Sequence, residues 1–303
     1  MVVATMEPGC PACGESRSRP LFSSVPTATY VACVRCGLAR MNPLPSAQDL
    51  LAYFGAGYFE DAQVPGGYDD YAADEPLHRL NARRRLARIA RSRRGCAAGA
   101  LLDIGCAYGY MLDEARMQGW SVAGVEPASL AAERARSRGL EIFDNVHEVL
   151  AQHPGGFDVV SVCQVFSHVP DLALAMGHAA EALAPGGFLF EETWRRDALV
   201  ARLAGRRWQV IAPPTVVWLE TSASIRALLH RVGLDVVDWT QGRKTVSVGH
   251  AASLLRALPL PGPLISAAEW LARSRWARLP LSYAFGDLVW VTATRHRDVH
   301  NRE

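Results

Sequence analysis

A glycine-containing turn after an apolar run is the segment best suited to bind a ligand. Residues 101–109 read LLDIGCAYG, so a strand that contains Asp103 would pass into a turn at Gly105. Twenty-one residues after Gly105, the apolar run 121–125 ends at Glu126. An acid at that position can accept hydrogen bonds from both hydroxyls of a ribose, and glycine lets the backbone approach a ligand closely. The pattern predicts a nucleoside-binding site.

Four cysteines in two matched pairs predict a metal site. Cys10 and Cys13 form one pair, Cys33 and Cys36 form the other, and a glycine follows each pair. Four thiolates make the closed tetrahedral site that structural zinc prefers, with no coordination position left open for catalysis. The other three cysteines stand singly in apolar surroundings, which favours a place in the core: Cys96, Cys106 and Cys163.

Alternating strand and helix patterns must position these groups. Strand-like segments are residues 100–104, 121–125, 140–143, 157–163, 187–192 and 234–240. Helical patterns lie at residues 109–118, 128–138, 171–184 and 222–232. This alternation predicts an α/β fold with a parallel sheet covered by helices. Residues 287–294 predict a seventh strand, antiparallel and beside the sixth.

The chain is expected to divide into five parts. They are a zinc ribbon at 1–45, a helical cap at 46–98, a Rossmann-like core at 99–243, a Pro-interrupted helical insertion or lid at 244–284, and the last strand with a polar tail at 285–303. The cap contains a Tyr- and Gly-rich loop at 66–71.

Two basic segments each allow two interpretations. Seven arginines lie between Arg83 and Arg94 on a helix with one apolar face, which favours a solvated basic face over a phosphate-binding patch. Residues 267–278 mix tryptophans with arginines, which favours a lid packed on the core over a peripheral membrane contact.

Bulk composition excludes several classes of protein. The net charge of the 303 residues is +2 and the pI is about 8.2, so no nucleic-acid partner is expected. No apolar run approaches the roughly 18 residues of a membrane span, so no transmembrane segment is expected. The N-terminus lacks the charged and apolar regions of a secretory signal, and we expect a cytoplasmic protein.

Four motifs in order give the core a specific likeness. Residues 103–109 match the first motif of class I S-adenosylmethionine-dependent methyltransferases, and Glu126 matches their ribose-binding acid. Residues 157–171 resemble the fourth-strand motif, and residues 183–189 resemble the turn into strand five. The core therefore resembles this family over about residues 99–240.

The wider layout resembles the zinc-ribbon bacterial methyltransferases. A cysteine ribbon, a Tyr-rich helical segment, the core and a late strand at Gly286–Asp287 follow in that order. The resemblance implies a Rossmann-like seven-stranded methyltransferase sheet with an N-terminal zinc ribbon and a helical cap. Relatives of this layout act on sugars, polysaccharide precursors or other natural products.

The resemblance implies S-adenosylmethionine as cofactor and assigns it a set of residues. These are Asp103, Gly105, Cys106, Ala107, Gly109, Glu126 and Pro127, with Asn145 and Val146 near the adenine and Gln164 at the methionine end. The chain departs from the family at Ala107, where many relatives have glycine, and at Ser167, where glutamate is common before the histidine.

His168, in the fourth-strand motif, is the candidate catalytic residue. Its imidazole, with an ordinary pKa near 6.5, suits proton removal from an oxygen or carbon acceptor. A structural role for His168, bonding to backbone groups, is the alternative. Candidate residues on the acceptor side, which could equally be packing residues, are Tyr68, Tyr71, Trp194, Arg206, Arg207 and Trp208.

The function that these residues predict is methyl transfer to a small molecule such as a sugar, a glycan precursor or a natural product. The alternatives are an RNA or protein methyltransferase that docks its target with the ribbon, and a non-catalytic S-adenosylmethionine-binding module. O-, N- and C-methylation all remain open at this stage, because they share the same core.

Overall fold

The computed structural model describes residues 4–5, 9–25, 28–55, 57–60, 67–68, 70–93, 98–256 and 262–295. Cys96 and the polar tail expected after residue 295 lie outside the described residues. The N-terminal strands are β1 Ala4–Thr5, β2 Arg17–Val25, β3 Ala28–Cys33 and β4 Ala39–Asn42. The cap helices are α1 Ala47–Gly55 and α2 Glu75–Ser92.

The core alternates strands and helices as its sequence pattern predicts. Its first half comprises β5 Ala100–Ile104, α3 Tyr110–Met117, β6 Ser121–Val125, α4 Ser129–Arg136, β7 Glu141–Phe143, α5 Val146–Gln152, β8 Phe157–Cys163 and α6 Leu172–Glu181. Its second half comprises β9 Leu183–Trp194, α7 Leu199–Ala204, β10 Trp218–Leu219, α8 Ser222–Arg231 and β11 Leu234–Gln241. The remaining elements are β12 Lys244–Ser247, α9 Val248–Arg256, α10 Gly262–Arg273, β13 Pro280–Tyr283 and β14 Leu288–Arg295.

Seven strands form the central sheet in the order β11-β14-β9-β8-β5-β6-β7. The five strands β9, β8, β5, β6 and β7 pair in parallel, each with its neighbour in this order. β14 pairs antiparallel with both β9 and β11. In the middle strand, neighbouring Leu101 and Leu102 are both fully buried, because helices cover both faces of the sheet. The predicted fold class and the antiparallel last strand beside β11 are confirmed.

The sheet order brings four strand ends to one edge. The carboxyl ends of β5, β6, β8 and β9 lie side by side, since these strands are parallel neighbours. Ligands of open parallel sheets bind at this edge. The turn that begins at Gly105, and the side chains of Glu126, Gln164 and Glu192, therefore meet there.

The ribbon is attached to the core by a shared sheet. β10 pairs antiparallel with β4, which adds a core strand to the sheet of β1 to β4. The buried Tyr30 hydroxyl donates a hydrogen bond to the carbonyl of Val216, and Thr221 donates to the carbonyl of Cys36. One face of the ribbon is thus occupied by contacts within the chain.

The segment 244–284 is only partly helical. Its two ends, β12 and β13, pair antiparallel, and Lys244 lies opposite Tyr283. Helices α9 and α10 lie between these strands. The expectation of a helical insertion or lid fits the middle of the segment, where α9 and α10 lie, but not its two ends. At the first end, Thr245 and Val246 are β-branched and favour a strand.

Candidate active site

A cavity of about 270 Å³ lies at the carboxyl edge of the parallel strands. The strand ends supply one wall with Asp103, Gly105, Glu126 and Gln164. The cap supplies a second wall, and Lys244 at the start of β12 borders the same space. The cavity therefore combines the predicted nucleoside turn with residues from three separate parts of the chain.

Glu126 is held at the turn by two backbone amides. The amide of Ala107 donates to Oε2 at 2.9 Å, and the amide of Ala128 donates to Oε1 at 3.0 Å. Burial raises the pKa of Glu126, while the two amide hydrogen bonds oppose that rise. Each carboxylate oxygen keeps acceptor capacity for a further hydrogen bond, as binding of a ribose would require.

Backbone strain is concentrated in this cavity. Gly105 has φ +74°, and a Cβ there would lie 2.3 Å from Cγ2 of Val165, so only glycine fits. Ala107 with φ +49° and Gln164 with φ +61° are the non-glycine residues in the left-handed region among those the structure describes. Both line the cavity. Such backbone conformations cost roughly 1–3 kcal/mol each, and residues that adopt them cluster at functional sites.

Asp103 is a buried acid at the end of β5. Its Oδ1 accepts a hydrogen bond of 2.6 Å from the hydroxyl of Ser161 on the neighbouring strand. Burial raises the pKa of Asp103 to about 6, against the opposing effects of Ser161 and the charge of Arg85. The carboxylate borders the cavity and could pair with a cationic group of a ligand.

Glu192, at the end of β9, is the centre of a buried polar network. Arg85 of α2 donates two hydrogen bonds to its carboxylate, and Trp290 donates a third at 2.6 Å. Gln164 donates to Oε1 at 2.6 Å. Burial opposes ionisation, yet the charge and hydrogen bonds of Arg85 hold the pKa of Glu192 below its ordinary value.

The basic face expected between Arg83 and Arg94 is not simply solvated. Arg85 is directed into the cavity, and Arg83 pairs with Glu114. Arg88 pairs with Asp238, and Arg93 lies 3.7 Å from Asp158. The solvated-face interpretation was incomplete: Arg83 and Arg91 are exposed, but acids of the core and of β11 also face this helix, and Arg94 lies outside the described residues.

His168 lies in the loop after β8 and borders the cavity. Its Nδ1 lies 2.8 Å from the carbonyl oxygen of Thr215. A carbonyl can only accept, so Nδ1 carries the proton and Nε2 of the neutral ring is left as an acceptor. Burial lowers the pKa of His168, which keeps the imidazole neutral. The same loop is held by amides of the following segment, since Val217 donates to the carbonyl of Ser167.

The cap contributes an aromatic wall. Phe54 contacts His168 edge to face at 5.4 Å, and Tyr58 packs against Phe54. Tyr71 stacks on His78 at 3.9 Å, and both border the cavity. Tyr68 of the wall stacks on His250 of α9 at 4.8 Å, which joins the cap to the insertion. The aromatic wall thus faces the polar strand ends across the cavity.

Several predicted site residues lie elsewhere. Asn145 caps α5 by accepting from the amide of Glu148, and neither it nor Val146 borders the cavity. Arg206 and Arg207 are exposed, while Trp208 is buried and donates to Asp287. Of the other acceptor-side candidates, Tyr68 and Tyr71 border the cavity, and Trp194 reaches it through a hydrogen bond to Gln164. Gly109 begins α3.

Two cysteines assigned to the core also border this cavity. They are Cys106 in the turn and Cys163 at the end of β8. Cys106 was also among the residues assigned to the cofactor, whereas for Cys163 the interpretation as a core thiol was incomplete, because the end of β8 opens onto the ligand edge. Arg85, Glu192, Lys244 and His78 were not predicted as site residues at all.

The four paired cysteines lie together, as their spacing predicts. Their sulfur atoms are all within 4.8 Å of one another, and Cys10–Cys36 and Cys13–Cys33 are each 3.5 Å apart. Tetrahedral coordination with zinc–sulfur bonds of about 2.3 Å requires sulfur atoms about 3.8 Å apart. The cluster fits a zinc ion.

Comparison with known proteins agrees with this geometry. The methyltransferase domain family matches residues 70–238, which is more than half of the chain. The chain belongs to this family. The matched residues include the cap helix α2, the strand ends of the cavity and β11 up to Asp238.

Curated relatives and a solved structure share parts of this methyltransferase domain. Ubiquinone biosynthesis O-methyltransferase of Cronobacter sakazakii is 33% identical over 138 residues, which are 43% of this chain and 56% of that protein. The protein of the same name from Escherichia coli O157:H7 is 32% identical over 130 residues, 41% of this chain and 54% of that protein. The chain thus spans about half the length of the curated relatives it matches.

The magnesium protoporphyrin IX methyltransferase of Synechocystis PCC 6803, solved with bound SAH, superposes with a TM-score of 0.52 at 15% identity. The likeness covers 83% of this chain and all of that one, and it supports the fold alone.

Among the helices described for this family member, none is both long and apolar enough to cross a membrane.

Proposed function

We propose that this methyltransferase-family protein transfers a methyl group from S-adenosylmethionine to a small molecule. The observation that carries the proposal is a single cavity that joins the Glu126 turn to His168 and the aromatic wall. One end has the acid and close backbone that a nucleoside needs, and the other has a neutral imidazole beside aromatic rings. A non-catalytic binding module would not require the second end.

The residues present fit S-adenosylmethionine. Glu126 would bind the ribose hydroxyls. Asp103 would pair with the cationic amino group of the methionine part, and Gln164 would contact the methionine end. Bound there, the cofactor supplies a sulfonium methyl group that is already activated for transfer. The protein mainly has to orient the acceptor, and orientation can supply roughly 7–11 kcal/mol of the reduction in barrier.

Replacing Glu126 with alanine should weaken S-adenosylmethionine binding at least about tenfold, because two charge-assisted hydrogen bonds of roughly 1.5–3 kcal/mol each would be lost. Isothermal titration calorimetry measures the change. Glu133→Ala, at an exposed position on the following helix, is the matched control and should bind as the wild type does. Equal affinity of Glu126→Ala and the control would contradict the ribose assignment.

A small acceptor is favoured over RNA or protein by the way the ribbon is used. The ribbon shares a sheet with β10 and buries Tyr30 against the core, so its inner face is already covered by the rest of the chain. The acceptor end of the cavity is bordered by the cap and by residue 244, which would surround a bound molecule. Sugars, glycan precursors and natural products are the acceptor classes proposed.

Transfer of labelled methyl from S-adenosylmethionine tests the function. The acceptors are sugar nucleotides, glycans, phenolic metabolites and RNA, with Glu126→Ala as the negative control. We expect label in at least one small-molecule class. Label in RNA alone would contradict the proposal, and tight cofactor binding without transfer to any acceptor would favour the non-catalytic module.

We also propose that the four cysteines hold a structural zinc ion. The ion would connect the two turns that follow β1 and β3, each of which is closed by a backbone hydrogen bond to a ligand cysteine. Four thiolates leave no open position, so the zinc takes no part in methyl transfer.

The purified protein should contain about one zinc per chain, and Cys13→Ser should lose the metal together with the fold of the ribbon. Elemental analysis measures the metal, and circular dichroism measures the structure. The core should still bind S-adenosylmethionine, because its motifs lie outside the ribbon. Cys163→Ser, outside the cluster, is the control that keeps zinc. Wild-type protein without metal, whose four thiols titrate freely, would refute the zinc assignment.

A further inference from the structure

Lys244 is the single lysine of the chain. The chain has 32 lysine and arginine residues in total, and all of the others are arginine. Even the preceding residue, Arg243, is an exposed arginine. The one ammonium group borders the cavity instead of the protein surface. A lysine ammonium is a compact charge that can release its proton, whereas a guanidinium is planar and stays charged.

The polar contacts of Lys244 leave part of its hydrogen-bonding capacity unused. Its Nζ donates to Oε1 of Gln164 at 2.9 Å. No carboxylate of the described residues lies within ion-pair distance of it, and Glu192 already accepts from Arg85, Gln164 and Trp290. An ammonium has three donors, so a bound molecule with an acidic oxygen would complete its hydrogen bonds.

The position of Lys244 places this charge at the acceptor end. Gln164 is the residue proposed for the methionine end of the cofactor, and Lys244 contacts its side chain directly. Tyr68 and His78 of the aromatic wall border the same cavity, and Tyr283 faces Lys244 across the β12–β13 pair. The surroundings combine flat aromatic surfaces with the ammonium of Lys244, whereas the other cation of this cavity, Arg85, is already paired with Glu192.

We propose that Lys244 binds the acidic oxygen of an aromatic acceptor, so that the enzyme is an O-methyltransferase for phenols. This inference rests on the proposed function and names its acceptor class. In the reaction the phenol oxygen bonds to the methyl carbon as the sulfur–methyl bond breaks, and the sulfonium becomes a neutral thioether. The phenol proton passes to Nε2 of His168, while the ammonium of Lys244 stabilises the negative charge on the oxygen.

The ionisation of Lys244 agrees with this role. Burial lowers the pKa of Lys244 to about 8, and the charge of Glu192 opposes the fall. Other groups that face it electrostatically are Arg85 and His78 on α2, Cys163 and His168 around the end of β8, and His250 on α9. The amine is therefore mainly charged at pH 7 and pairs with an anionic oxygen.

Because the chain has one lysine, its ionisation can be observed alone. Protein labelled with ¹³C-lysine should give one ε-carbon signal, titrating near pH 8 instead of the ordinary value of about 10.4. With S-adenosylhomocysteine present, catechol, caffeate or 4-hydroxybenzoate should shift this signal and raise the pKa of Lys244. Veratrole, which lacks the hydroxyls, and 1,2-cyclohexanediol, whose ring is saturated and not aromatic, should not. No response to any of the three phenols would overturn the inference.

Kinetics with the same phenols provide the second measurement. Lys244→Met should lower kcat/KM for the methylated phenol by about 10–100-fold, the equivalent of one charge-assisted hydrogen bond, with the Kd of S-adenosylmethionine within about threefold. Lys244→Arg should recover part of the rate and lose the decline above about pH 8, because arginine stays charged. Arg243→Met is the matched control and should behave as the wild type does.

The outcomes separate this inference from the proposed function. Wild-type protein that methylates sugars but none of the phenols would overturn the phenol assignment and leave methyl transfer intact. Equal phenol kinetics of Lys244→Met and the wild type would exclude Lys244 as the oxygen-binding residue. Absence of cofactor binding and of transfer to every acceptor would refute the proposed function, and this inference with it.

Discussion

Replacement of His168 with alanine should reduce kcat by about 10²–10⁴, the usual contribution of a positioned general base. The carbonyl of Thr215 orients the ring by accepting from Nδ1, which leaves Nε2 free to take the acceptor's proton. Single-turnover transfer of labelled methyl measures the loss. Affinity for S-adenosylmethionine should change little, because the ring is not among the groups proposed to hold the cofactor.

The pH profile gives an independent test of the same residue. Burial lowers the pKa of His168 below its ordinary value of 6.5, so the neutral, proton-accepting form persists to lower pH. The wild-type rate should therefore persist below pH 6.5 and fall only at still lower pH, where the imidazole becomes protonated. His147→Ala, at an exposed position on α5, is the control and should keep both the rate and the profile.

Two results would contradict the assignment of His168 as base. A mutant that keeps most of its rate would exclude a base at this position and would point to N-methylation, since an unprotonated nitrogen needs none. A mutant that loses thermal stability and cofactor binding together, with an unchanged pH profile of the remaining activity, would show that His168 is structural.

Arg85→Met should destabilise the protein by about 3–5 kcal/mol, because it leaves the carboxylate of Glu192 buried without its cation. Glu192 is 1% exposed, and Arg85 donates two of its hydrogen bonds. At roughly 2–4 °C per kcal/mol, Tm should fall by roughly 10 °C in thermal unfolding followed by circular dichroism. Arg91→Met, at an exposed position on the same helix, is the matched control and should leave Tm nearly unchanged.

A double variant separates the pair from general packing. Arg85→Met combined with Glu192→Gln removes both charges, so part of the lost stability should return relative to Arg85→Met alone. If Arg85→Met unfolds at the temperature of the wild type, the ion pair contributes nothing to stability. If the double variant is no more stable than Arg85→Met, the loss comes from packing and not from the unpaired carboxylate.

The core and the nucleoside turn could be predicted because their signals are local. The apolar runs before Gly105 and Glu126 alternate with helical periods, and this alternation specifies a parallel sheet whose strand ends share one edge. The matched cysteine pairs are equally local, since two intervening residues bring both sulfur atoms to one point. The fold class and the clustering of Cys10, Cys13, Cys33 and Cys36 therefore followed from spacing alone.

The electrostatic half of the site was decided only by tertiary structure. Arg85 and Glu192 are separated by more than a hundred residues, and Lys244 and Gln164 by 80 residues. Whether an arginine is solvated or paired depends on burial and on distances between elements, which periodicity does not specify. The sequence by itself determined the sheet, the turn and the thiolate cluster. The packing of α2 and β12 against the strand ends decided which charges face the acceptor, because the energy of a charge depends on the groups around it.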